Sequence, residues 1–133
     1  MITEYVLFAL PPGITRAQVL AGMREVAPRW SAEQDLVRKT FIYDPGANQA
    51  GAFYLWKNRT SAEAAHGEEW RSRIRASYGS DPVVRYFETP LLVDNAMAMI
   101  IEAEAPVAER RFGGERQAPG KACLIRAPRS PRE

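Results

Sequence analysis

Residues 35–58, DLVRKTFIYDPGANQAGAFYLWKN, constrain the fold more than any other part of the chain. Two runs rich in β-branched and aromatic residues, 35–44 and 50–58, flank the turn PGANQ at 45–49. That pattern predicts an antiparallel hairpin. The connection is longer than a two-residue turn, which leaves the register open. Both strands are apolar on both sides. Tyr54 and Trp56 alternate with Phe53 and Leu55, and Phe41 and Tyr43 with Leu36 and Ile42. A sheet with one face in water would alternate apolar with polar residues. Both faces of this hairpin therefore need cover.

The flanking segments supply one cover. ITEYVLFAL (2–10) reads as a strand stopped by Pro11-Pro12-Gly13. Thr15 then begins a helix, with Gln18 placed to close a capping box. Val19, Met23, Val26 and Trp30 give that helix one apolar face, and Pro28 disturbs its last turn. A second helix is expected from Thr60, with Glu63 at the capping-box position and Ala62, His66, Trp70, Ile74 and Tyr78 at intervals of four. Gly79 stands at its C-cap. PVVRYFETPLLVD (82–94) reads as a fourth strand, with Pro90 marking an edge or a bulge. The order is β-α-β-β-α-β, an α+β, ferredoxin-like unit with one four-stranded antiparallel sheet and helices on one face. The fourth strand is also two-sided, Val83, Phe87 and Leu91 against Val84, Tyr86 and Leu92. One apolar sheet face thus remains, and a second copy of the chain, sheet against sheet, is expected to cover it.

The domain is expected to occupy residues 1–97. Residues 98–133, rich in Arg, Gly and Pro after Pro106, read as a largely disordered extension. Charge divides accordingly. Residues 1–97 carry 11 basic and 11 acidic side chains, so the net +2 arises in the tail and no cationic face for nucleic acid is indicated. The single cysteine, Cys123, rules out an intrachain disulfide and a thiolate metal cluster. Glu4 stands where a signal peptide favours a basic residue, and no stretch reaches the roughly 20 apolar residues of a membrane span. A cytoplasmic protein that contacts neither membrane nor nucleic acid is expected.

The usual catalytic signatures are missing. One histidine cannot build a multi-histidine metal site, and neither a nucleophile elbow nor a phosphate-binding glycine loop is present. Ser61, Ser72 and Ser77 have no evident pairing with the histidine. Against that blank, GAFYLWKNRTSAEAAHGEEW (51–70) stands out, with two of the three tryptophans and the only histidine. His66 shares the inward stripe of its helix with Trp70. An imidazole there suits proton abstraction from a phenol or carbon acid. Phe8, Phe41, Tyr43, Tyr54, Trp56 and Trp70 are the candidate walls of a pocket for a flat aromatic ligand. The competing reading is that these rings fill the core, with Tyr54 and Trp56 also candidates for the dimer interface. Asn58 and Arg59 are either polar groups at the pocket mouth or turn chemistry before the helix.

FIYDPGANQAGAFYLWKNRTSAEAAH (41–66) resembles the YdhR-like monooxygenase family of the dimeric α+β barrel superfamily, near the antibiotic biosynthesis monooxygenases. AGAFYLW and SAEAAH carry the resemblance. It implies a ferredoxin-like protomer, a homodimer through the sheet faces, and oxygenation of an aromatic or polyketide-like substrate without metal or flavin. In that chemistry the protein deprotonates the substrate, and the resulting carbanion reduces dioxygen. The chain departs from the family at Gly51-Ala52, where Gly-Gly is frequent. It also lacks the first-strand asparagine of haem-degrading relatives. The expectation is a cofactor-independent monooxygenase with His66 as base. The alternatives are a protein that only binds a hydrophobic small molecule, and a structural homodimer with a filled core.

Overall fold

A computed structural model describes residues 1–105 and the strand at 123–126. The chain divides into two compact units, Met1–Glu88 and Thr89–Glu133.

The first unit runs β1 (Ile2–Ala9), α1 (Arg16–Ser31), β2 (Leu36–Asp44), β3 (Gln49–Trp56), α2 (Arg59–Ala65), α3 (Glu68–Tyr78) and β4 (Val83–Glu88). Its four strands form one sheet in the order β2-β3-β1-β4, every pair antiparallel. The expected α+β, ferredoxin-like arrangement is therefore present. The hairpin register aligns Lys39 with Tyr54 and Tyr43 with Ala50. A bulge between Leu36 and Arg38 absorbs one residue of the second strand. Ile2, Glu4, Val6 and Phe8 of β1 lie opposite Trp56, Tyr54, Ala52 and Ala50, all on the helix-facing side. The core there joins Val6, Ala52, Tyr54 and Trp56 to Trp30 of α1 and Ala62 of α2.

Local chemistry explains most boundaries. Thr15 caps α1, and its capping box with Gln18 is closed in both directions. Gly79 ends α3 at φ 77°, a left-handed conformation that costs glycine little. The second helix differs from expectation in two ways. Its N-cap is Asn58, whose side chain accepts from Ser61 N at 2.8 Å. Glu63 pairs with Arg59 instead of capping. The helix also breaks at His66–Gly67 into α2 and α3, with His66 at φ −121°, ψ 45°. Glycine favours such a break, and the four-residue apolar spacing continues across it.

The expected fourth strand is also divided. Its first half is β4; its second half, β5 (Leu91–Asp94), belongs to a separate sheet. Pro90 lacks the N–H that would continue the ladder. In the second unit, β5 pairs with β6 (Met99–Glu102), and β6 with β7 (Cys123–Arg126), both antiparallel. The Asp94 carboxylate accepts from Met97 N and stabilises the β5–β6 turn. Residues 98–105, expected to lie in the extension, thus begin with a strand. The expectation of disorder over 106–122 and 127–133 lies outside the described residues.

Candidate functional site

Between α1, α3 and the inner face of the sheet lies a cavity of about 180 Å³. Phe8 comes to its wall from β1, Phe41 from β2, Tyr54 from β3 and Trp70 from α3. These four of the expected wall residues line it. Tyr43 does not; it borders a separate depression with Phe41 and Met23. Trp56 is fully buried behind the wall, its ring stacked 6.0 Å from Tyr54. Asn58 is a helix cap and lies away from the cavity lining, as does Arg59.

His66 does not reach the cavity surface. The kink after α2 places it among the wall rings. It lies edge-on to Tyr54 at 4.7 Å and to Trp70 at 4.4 Å, and stacked on Trp30 at 5.4 Å. It is 2 % exposed. Nδ1 approaches Glu4 Oε1 to 2.7 Å, an ion-pair distance, but the ring is out of line for a hydrogen bond. Trp56 Nε1 donates to the same oxygen at 2.9 Å. Glu4 is fully buried, and neither its Oε2 nor His66 Nε2 has a hydrogen-bond partner among the described residues. Burial and, second, the neighbouring Glu4 carboxylate push the Tyr86 phenol up to about 12. The same two causes hold the Tyr54 phenol protonated through the whole ordinary pH range.

Sequence reading passed over two charged groups on the inner face, Glu4 and Lys39. Glu4 occupies the parity of Ile2, Val6 and Phe8, and Lys39 that of Phe41 and Tyr43. A charge on the apolar side of an alternating strand is a signal the sequence does carry, because burying one requires a compensating partner. Lys39 lines the cavity with its Nζ 4.1 Å from the Trp30 and Phe41 centroids and 4.6 Å from Tyr54. Burial, then the charge of Arg29, lowers its pKa to about 7 against a weaker opposing pull from Glu4. Among the described residues, no cluster of three His, Cys, Asp or Glu could hold a metal ion, and no helix is long and apolar enough to cross a membrane.

No protein-family model matches the sequence, and neither does any curated protein. Solved structures do match. A candidate antibiotic biosynthesis monooxygenase from Deinococcus radiodurans aligns with a TM-score of 0.56 at 10% identity, over 71% of this chain and 97% of that one. A second such protein, from Bordetella bronchiseptica, aligns with 0.51 at 17% identity, over 66% and 95%. The fold is that of the antibiotic biosynthesis monooxygenase-like proteins. The ActVA-Orf6 monooxygenase of Streptomyces coelicolor, solved with the ligand nanaomycin D, also aligns, with 0.51 at 9% identity, over 66% and 86%. At these identities the likeness concerns the fold, and the chemistry has to be argued from the site.

Proposed function

We propose that the chain is a cofactor-independent monooxygenase acting on a small aromatic compound, within the YdhR-like branch of this fold. The observation that carries the reading is the cavity itself, walled by Phe8, Phe41, Tyr54 and Trp70 and holding an amine. Its size narrows the substrate. A cavity of about 150 Å³ takes a benzene ring, whereas drug-sized ligands need roughly 300–1,000 Å³. At about 180 Å³, one or two fused rings fit better than an extended polyketide. The reaction would remove the hydroxyl proton of a phenol or enol, letting its electron-rich ring carbon, which also gives up its hydrogen, reduce dioxygen. One oxygen atom enters the ring carbon as a carbonyl and the other leaves as water. The protein's share is to orient the ring, accept the proton and exclude water.

In this reading Phe8, Phe41, Tyr54 and Trp70 hold the substrate, while Trp56 and Tyr43 support the wall from behind and beside it. His66, anchored to Glu4, is a positioning residue that fixes the Tyr54 and Trp70 rings. The fold likeness and the resemblance of residues 41–66 support an oxygenase over a structural role. The open sheet face supports a homodimer. Phe53 of β3 and Val83 and Phe87 of β4, on either side of β1, are between 42% and 50% exposed there. The lone Cys123 supports a reducing compartment such as the cytoplasm.

The test is oxygen uptake by metal-free, flavin-free protein mixed with naphthols, hydroquinones and anthrones. Protein-dependent uptake, stronger for one- and two-ring compounds, is expected. Tryptophan quenching without uptake would replace the enzyme with a binding protein. Neither signal from any compound would leave the rings as core.

A further inference from the structure

The cavity is charged in one sense. Its lining includes Lys39 and Arg29 but no carboxylate. Lys39 reaches it from the inner side of β2, opposite Tyr54. Ring faces of Trp30, Phe41 and Tyr54 surround its Nζ, and among the described residues no carboxylate comes within ion-pair distance. The charged or titratable groups facing it are Arg29 from α1, Glu4 from β1 and Tyr54 from β3. Glu4 is already committed to His66 and to the Trp56 N–H. A partly buried amine ordinarily has a counter-ion. Here that place adjoins open space walled by aromatic rings.

We propose that Lys39 Nζ is the proton acceptor of this cavity, taking the hydroxyl proton of a bound planar phenol so that the ligand is held as an aromatic anion against the ammonium group. The inference rests on the aromatic-substrate reading above and names the substrate class, a one- or two-ring phenol or enol. In the step, the ligand O–H bond breaks and its electron pair stays on oxygen. The Lys39 lone pair forms the third N–H bond, so charge and atoms balance without an oxidant. The empty cavity favours the neutral amine, because burial and Arg29 both disfavour a second cation. An anion in the cavity reverses that preference. Arg29, whose guanidinium lies 5.2 Å from the Trp30 centroid, adds a second positive charge toward the same oxygen side. A lysine does this work where an arginine could not, since guanidinium does not give up its proton.

The experiment is an anaerobic titration of the full chain with 2-naphthol at pH 8. The phenolate absorbance band is followed, and calorimetry in two buffers of different ionisation enthalpy counts protons exchanged with solvent. Phenols of ordinary acidity, with a pKa of about 10, are protonated at this pH. Wild type is expected to show the phenolate band with little net proton release, because the proton stays on Lys39. Lys39→Met should lose the band. Lys39→Arg keeps the cation but not the base, and should release about one proton to buffer for each phenolate it binds. Should Lys39→Met not fold, Lys39→Arg and Lys39→Gln carry the comparison. Naphthol bound as neutral phenol in wild type, an undiminished band in Lys39→Met, or no binding would each overturn the proposal. A phenolate band without later oxygen uptake would retain Lys39 and remove the oxygenase; uptake without the band would do the reverse.

Discussion

Glu4 places a carboxylate where β1 should carry an apolar side chain. It is fully buried, touches His66 Nδ1 at 2.7 Å and accepts from Trp56. Glu4→Ala would leave His66 and the indole N–H buried without that partner. Each stranded buried polar group costs about 1–3 kcal/mol. The variant should therefore lose at least that much in urea unfolding, and a loss under 0.5 kcal/mol would show that Glu4 does not hold this cluster (a threshold set about where surface substitutions fall). Lys39 predicts a pH dependence whose sign can be worked out. Its pKa is lowered in the fold from the ordinary 10.5 to about 7. Between pH 7 and 10 the unfolded chain therefore binds this proton while the folded chain does not. Wild-type stability gains a contribution that rises with pH across that window. Lys39→Met removes it. The variant should melt above wild type at pH 6, and the gap should narrow toward pH 10. A gap independent of pH would contradict the perturbed amine.

At the scale of the elements, the strand pairs depend on one glycine and the second helix on one cap. A Cβ on Gly51 would overlap the Val6 carbonyl across the β1–β3 pair. The obstacle is backbone, so no rotamer change relieves it. Gly51→Ala should abolish folding or separate β1 from β3, read as loss of soluble protein or of the near-ultraviolet signal of the buried tryptophans. Asn58 holds the first turn of α2, and Ser61 in that turn donates from its hydroxyl to Asp35 Oδ2 at 2.5 Å. Asn58→Ala should cost about 0.5–2 kcal/mol by chemical denaturation, as helix caps do. The break at His66–Gly67 lets Ala62 and His66 bury under α2 while Trp70 turns to the cavity from α3. An uninterrupted helix would have placed His66 and Trp70 on one straight stripe, and the expectation of a cavity-facing imidazole came from that straight stripe.

At the scale of the whole molecule, the sheet face away from the helices carries exposed apolar side chains. Phe53 lies there on β3 and Val83 and Phe87 on β4, with β1 between them. A second copy covering this face should give a particle of about twice 14.9 kDa by light scattering at micromolar concentration. The double variant Phe53→Glu, Phe87→Glu should then return it to 14.9 kDa without unfolding the sheet. A wild-type protein already at 14.9 kDa would exclude the dimer.

Local order was legible in the residues because its causes are local. Runs of β-branched and aromatic residues marked the strands of the first sheet, the Pro11-Pro12-Gly13 and PGANQ turns bounded them, and Thr15 with Gln18 and Gly79 marked helix ends through hydrogen bonds spanning a few positions. Sheet order followed from element order. Pro90 announced an interruption, but no local rule told that the residues after it would leave one sheet for another. The aromatic wall was half legible: spacing put Phe8, Phe41, Tyr54 and Trp70 on inward faces, and all four line the cavity. Spacing does not tell which inward ring borders empty space, so Trp56 and Tyr43 were expected there equally. That distinction, the retreat of His66 behind Tyr54 and Trp70, and the meeting of Lys39 with three rings from three separate elements were decided only by tertiary structure. They depend on volumes left between elements and on charges brought within a few ångströms from positions far apart in the chain.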